Sequence, residues 1–208
     1  MSEFSIHNLW PLSILENTID VKSKWLDYLI NLSNDKYDRA GGDNGFLTKN
    51  YNILNENNFN DLKKDIEFNI ELYVKKYLRV KNKFKIVASW GVKHNKGDWG
   101  QIHHHKNSLI SGVYYLKTKD NSGDIQFHRH QHHNALIDHS LKFDMIEENM
   151  VNCQTYFIKP YDGMLLIFPS NVNHSVNHNH NDNDRYCIAF NAYLTGNIGS
   201  REDELCLS

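Results

Sequence analysis

Residues 90–116 read W-G-V-K-H-N-K-G-D-W-G-Q-I-H-H-H-K-N-S-L-I-S-G-V-Y-Y-L. The two ends of this stretch predict strands, and the K-G-D-W-G between them predicts a turn. His103, His104 and His105 fall just before the second strand, expected over Leu109–Lys117. Side chains at i and i+2 of a strand point to the same side, and imidazole is a common metal ligand. His103 and His105 can therefore chelate one ion while His104 points away. A distant partner is available in F-P-S-N-V-N-H, which ends at His174, and Arg185 follows on the next strand.

Working outward, the histidines are the compositional outlier. Of 13 in the chain, 12 lie between His94 and His180, and a random bias would not set them beside strand edges. The length of 208 residues suits one substantial core, so a single domain over 1–208 is expected. Within it, 1–83 form a helical support region, 84–195 a β core and 196–208 a tail. Apolar content of 40% argues against disorder. The net charge of −2, with no basic run, gives no support for binding nucleic acid or an anionic membrane. Three scattered cysteines, Cys153, Cys187 and Cys206, suit a reducing cytoplasm, and neither a signal peptide nor a membrane span is expected.

N-terminal to the core, near-helical apolar spacing predicts a helix over Leu15–Leu32. A second helix carries the stripe Leu62, Ile66, Ile70, Tyr73 and Tyr77, with Asn58 or Asn60 as its cap. That stripe is expected to pack on the outer face of a sheet. From Phe84 onward short strands follow: Phe84–Trp90, Leu109–Lys117, Asp124–His128, Thr155–Lys159, Met164–Phe168 and Arg185–Leu194. Helices first and strands afterwards define an α+β fold with a sandwich or barrel. Residues 129–153 fit neither period and are expected to form a lid or mobile loop. Its histidines, His130, His132, His133 and His139, are expected to be solvated rather than metal-bound.

The pieces H-x-H-x-x-S-x-x-S-G-V-Y-Y-L from His103, G-D-I-Q-F at 123–127, P-Y-D-G-M-L-L-I-F-P-S-N-V-N-H at 160–174 and R-Y-C-I-A-F-N at 185–191 occur in that order. Together they resemble the 2-oxoglutarate- and iron(II)-dependent oxygenase superfamily. The likeness is strongest to a branch common in marine bacteria and phages, and more distant to prolyl 4-hydroxylases. It implies a double-stranded β-helix, or jelly roll, with the N-terminal helices on its outer face. It also implies His103 and His174 as iron ligands, Arg185 as the anchor of the cosubstrate's far carboxylate, and O₂ as co-reactant. The product would be an oxidised small molecule or peptide, with 2-oxoglutarate decarboxylated to succinate.

His105 stands where this superfamily usually has Asp. Either His105 ligates, which its spacing favours, or a carboxylate such as Asp98 or Asp124 supplies the third bond. Tyr114 and Tyr115 point to opposite faces, so one of them is expected to meet the cosubstrate. Cys187, on the strand face of Arg185, sits where the family often has a hydroxyl. Trp90, Trp99 and Asn191 read first as core residues. His178 and His180 lie close after His174, but His174 holds the family's spacing from F-P-S. Two other readings remain: a cupin-type metal protein that does not use 2-oxoglutarate, and a non-catalytic metal binder. The absence of a Glu shortly after H-x-H counts against the first, and the presence of both His174 and Arg185 against the second.

Overall fold

The computed structural model describes residues 5–7, 11–40, 45–129 and 144–207. Its elements are β1 (Leu15–Thr18), α1 (Ser23–Ile30), β2 (Tyr37–Arg39), β3 (Phe46–Thr48), α2 (Asn60–Glu71), β4 (Lys83–His94), β5 (Gly100–His103), β6 (Ile110–Lys117), β7 (Ile125–His128), β8 (Thr155–Ile158), β9 (Met164–Pro169), β10 (His174–Val176), β11 (Arg185–Ile198) and β12 (Leu205–Leu207). A π-helical turn, Leu72–Tyr77, continues α2.

Two sheets result. The larger runs β1-β9-β6-β11-β4-β3-β2, with β12 paired to β11; the smaller runs β5-β10-β7-β8. Every pairing between these strands is antiparallel. Period-2 alternation splits the larger sheet's side chains between two cores. Tyr114, Leu116, Leu165, Ile167, Ile188 and Phe190 pack with Trp25, Leu29, Leu62, Ile66 and Ile70 from the helices. Val113, Tyr115, Leu166, Phe168 and Cys187 pack with Ile125 and Phe127 of the smaller sheet. Of the stripe expected to pack on a sheet, Leu62, Ile66, Ile70 and Tyr73 do so, whereas Tyr77 is exposed.

Gly112 is required where the two cores meet. A Cβ there would lie 2.2 Å from Phe190 Cζ and 2.6 Å from the Leu166 carbonyl oxygen. The S-G-V motif thus reflects close approach of β6 to β9 and β11.

Three expectations need correction. The helix expected over Leu15–Leu32 is divided. Leu15–Thr18 is a strand hydrogen-bonded to β9, and only Ser23–Ile30 is helical. Apolar spacing at Leu15 and Ile19 satisfies either period, and pairing with a buried strand overrides local preference. The cap expected from Asn58 or Asn60 is not made: α2 starts at Asn60 with no side-chain cap bond. Strand β4 runs on from Trp90 to His94, which places a further histidine on the sheet.

Candidate metal centre and cosubstrate pocket

The smaller sheet gathers the histidines. β10 lies between β5 and β7, so His174 is in register with His103 on one side and Phe127 on the other. His105, two residues past the end of β5, has its backbone N–H tied to the Ser170 carbonyl at 2.9 Å. The result is a cluster in which His103, His105 and His174 offer ring nitrogens that all lie within 4.8 Å of one another. Among the described residues it is the one group of three or more His, Cys, Asp or Glu side chains close enough to hold a metal ion.

Two imidazoles are oriented by backbone carbonyls. His103 Nδ1 meets the Gln101 carbonyl at 2.7 Å, and His174 Nδ1 meets the Val172 carbonyl at 2.9 Å. A carbonyl only accepts, so each Nδ1 carries a proton, and in the neutral ring it is Nε2 that offers a lone pair to a metal. The cluster sits among aromatic rings. Phe168 is 4.9 Å and Phe127 6.3 Å from the His174 ring, and Trp90 is 5.7 Å from the His105 ring. Burial, reinforced by the neighbouring His103, lowers the pKa of His105 to about 4 and that of His174 to about 3. Both are therefore neutral at neutral pH, the form in which an imidazole can bind a metal.

The alternatives for a third ligand lie elsewhere. Asp98 is buried, but it accepts from Arg39 Nη2 and from the Asn95 backbone N–H, both at 2.8 Å. Asp124 is not part of the cluster. His104 is exposed, with Nδ1 3.3 Å from Asn173 Oδ1. His178 stacks between Trp99 at 5.6 Å and His180 at 5.9 Å, away from the triad. His130, His132, His133 and His139 lie outside the described residues.

The second half of the site is on the larger sheet. Arg185 opens β11 and is 2% exposed. Nη1 donates to the Gly123 carbonyl at 2.9 Å and to the Ser122 carbonyl at 3.3 Å. Nη2 donates to His94 Nδ1 at 2.6 Å. Nε is buried with no partner among the described residues. In a planar guanidinium, Nε–H and the remaining Nη2–H lie along one edge, the geometry that a carboxylate accepts bidentately. A buried orphan donor is costly, on the order of 1–3 kcal/mol, unless a ligand satisfies it. The free edge therefore fits the far carboxylate of a dicarboxylate such as 2-oxoglutarate.

The tyrosine pair is now divided. Tyr115 faces the space between the sheets, with the Arg185 guanidinium carbon 5.9 Å from its ring centroid. Its hydroxyl has no hydrogen-bond partner among the described residues. Burial raises its pKa, so it remains a neutral donor. Tyr114 faces the helices instead. Its hydroxyl donates to the Ile19 carbonyl at 3.0 Å and its ring stands edge-on to Trp25 at 6.0 Å. Tyr114 is thus a core residue rather than a cosubstrate contact. Cys187 is on the inner face, buried, with its thiol pKa raised by desolvation. Tyr115, Cys187, Phe127 and Phe168 share the inner cluster; the Tyr115 ring meets the Arg185 guanidinium, and the Phe127 and Phe168 rings meet His174.

Sequence reasoning does not point to His94 or to the Ser122 and Gly123 carbonyls; their contacts with Arg185 depend on tertiary pairing, which has no local signature.

A family model described as "Putative 2OG-Fe(II) oxygenase" matches residues 88–191, half of the chain. The protein belongs to this family. It is a 2-oxoglutarate-dependent non-haem iron dioxygenase, with iron(II) as cofactor and 2-oxoglutarate as cosubstrate. No curated protein matches the sequence. Solved structures share the fold at low identity. HygX from Streptomyces hygroscopicus, with nickel, 2-oxoglutarate and hygromycin B bound, has a TM-score of 0.60 at 12% identity, covering 88% of this chain and 83% of that one. A Pseudomonas putida prolyl-4-hydroxylase gives 0.57 at 11%, covering 88% and 92%. A Trichoplax adhaerens prolyl hydroxylase, in complex with a hypoxia inducible factor peptide fragment, gives 0.59 at 12%, covering 86% and 83%. Among the described residues no helix is long and apolar enough to cross a membrane.

Proposed function

We propose that His103, His105 and His174 hold iron(II), and that Arg185 anchors 2-oxoglutarate with Tyr115 and Cys187 beside it. We propose also that the two sheets form the double-stranded β-helix of a single oxygenase domain. Its reaction is hydroxylation of a peptide residue or small metabolite in a reducing cytoplasm. The observation that carries this reading is the buried Arg185 with its orphan Nε on the same inner face as an apolar cluster whose Phe127 and Phe168 meet His174, one of three converging imidazoles. Both substrate classes occur in structures of the same fold, hygromycin B in one and a peptide in another.

Bound iron(II) supplies the redox chemistry: O₂ and 2-oxoglutarate give succinate and CO₂, and the second oxygen atom becomes the hydroxyl of the product. The chain's own residues do the rest. Carbonyls of Gln101 and Val172 fix two imidazoles with Nε2 inward. Three neutral histidines leave the metal's charge uncompensated, which favours a dianionic cosubstrate. Arg185 and Tyr115 supply donors to its far carboxylate, and Phe127, Phe168 and Trp90 keep the surroundings apolar. Three histidines are also a donor set that zinc uses, so metal identity is part of the test.

Iron(II) added without oxygen to metal-free protein, followed by 2-oxoglutarate, should produce a visible metal-to-ligand charge-transfer band. Admitting O₂ with a candidate substrate should then form succinate. Absence of the band would defeat the reading. His105→Ala should lose iron; undiminished iron binding would move the third ligand elsewhere.

A further inference from the structure

His94 and Arg185 are direct cross-strand partners at the ends of β4 and β11. They share the inner face, and His94 is only 3% exposed. Guanidinium nitrogens donate and never accept, so His94 Nδ1 accepts the 2.6 Å bond and its imidazole is neutral. Both the backbone and the ring of His94 are held in place. The His94 carbonyl accepts from Asn179 Nδ2 at 3.1 Å. Gly45 lies so close that a Cβ there would be 2.2 Å from His94 Cδ2. With φ of +82°, Gly45 also has the backbone conformation that glycine tolerates best.

The choice of partner has a chemical consequence. A carboxylate at this position would orient Arg185 but also neutralise it, and would compete with an incoming anion for the guanidinium. An imidazole lone pair and two backbone carbonyls orient the group while leaving its full charge for a ligand. They also occupy Nη1 and one hydrogen of Nη2, so the open edge is the Nε side.

We propose that His94 is a positioning residue for the cosubstrate: it holds Arg185 by an uncharged acceptor at Nδ1, so that the Nε edge faces the far carboxylate of 2-oxoglutarate. The proposal rests on Arg185 being that anchor.

The test uses full-length protein with iron(II) under anaerobic conditions. It compares 2-oxoglutarate with 2-oxopentanoate, a keto acid of equal chain length without the second carboxylate. His94→Asn keeps an acceptor near the Nδ1 position; His94→Gln moves it to the Nε2 position; His94→Phe removes it. The charge-transfer band should report 2-oxoglutarate affinity weakened roughly tenfold to a hundredfold in His94→Gln and His94→Phe. His94→Asn should stay near wild type, and 2-oxopentanoate should bind all variants alike. If His94→Phe does not fold, the Asn and Gln pair still decides the matter. Equal 2-oxoglutarate affinity in the Asn and Gln variants, or parallel loss of both ligands, would overturn the proposal. Arg185→Met separates the two levels. If it leaves 2-oxoglutarate affinity intact, the anchor reading itself fails. If it weakens binding while His94→Gln does not, only the positioning role fails.

Discussion

Replacing Arg185 by Met removes the guanidinium and keeps an unbranched apolar stem, so the effect on ligand binding can be worked from its geometry. The unoccupied edge offers two donors, Nε–H and one Nη2–H. A hydrogen bond involving a charged group contributes about 1.5–3 kcal/mol, so two of them amount to about 3–6 kcal/mol. That corresponds to a loss of roughly a hundredfold to ten-thousandfold in 2-oxoglutarate affinity. The assay is thermal unfolding with manganese(II) in place of iron, which fills the site without turnover. At a 2-oxoglutarate concentration of about a hundred times Kd, binding stabilises the wild type by about 2.7 kcal/mol. For a chain of 208 residues each kcal/mol moves Tm by about 2–4 °C, so the shift should be about 5–11 °C. At the same concentration the variant should gain at most about 0.4 kcal/mol, a shift under about 2 °C. The stabilisation by manganese alone should survive, because Arg185 is outside the histidine cluster. A 2-oxoglutarate shift in Arg185→Met equal to that of the wild type would refute the reasoning.

Three further outcomes follow from the same geometry. Tyr115→Phe should weaken 2-oxoglutarate binding, whereas Tyr114→Phe should leave it unchanged and lower stability by about 1 kcal/mol through the lost bond to Ile19; the reverse pattern in the same thermal assay would contradict the facing of the pair. Gly112→Ala should destabilise the fold by about 1–3 kcal/mol in a denaturant titration, because its Cβ meets the Leu166 carbonyl as well as a ring atom, and a wild-type midpoint would show that β6 and β9 can part freely. Metal-free protein should lose stability as pH falls below about 6.5: the folded pKa values of His105 and His174 are about 4 and about 3, so the unfolded chain takes up protons first, and their contribution, complete above that pH, is lost on the way down. A flat Tm over that interval would count against their burial.

Legibility in the sequence followed the range of each interaction. Strands of the core stood out because alternation and turn residues are local, and β6, β8 and β9 fall within a residue of their expected bounds. The shortest strands, such as Tyr37–Arg39, Phe46–Thr48 and His174–Val176, contain too few residues to display a period. Leu15–Thr18 was ambiguous for a different reason: its apolar spacing suits a helix, and only the β9 strand it meets, far along the chain, makes it a strand. His103 and His105 pair by spacing alone; His174 and Arg185 stand out as a distant histidine and arginine, but only the family resemblance gives them the roles of ligand and anchor.

Asp98 and His94 show where local reading stops. Asp98, five residues before His103, looks available as the carboxylate the family prefers, yet Arg39 reaches it from a part of the chain 59 positions away. With that acid engaged, no carboxylate joins His103, His105 and His174 among the described residues, which is why the proposed third ligand is His105. His94 looked like the first member of a histidine-rich run, yet β4 extends far enough to pair it with Arg185. Each contact involves a cation: Arg39 engages Asp98, and Arg185 engages His94. The polar partners of Asp98 and Arg185 are therefore placed by register and long-range pairing, and the short H-x-H motif supplies only the part of the candidate site that adjacent residues can build.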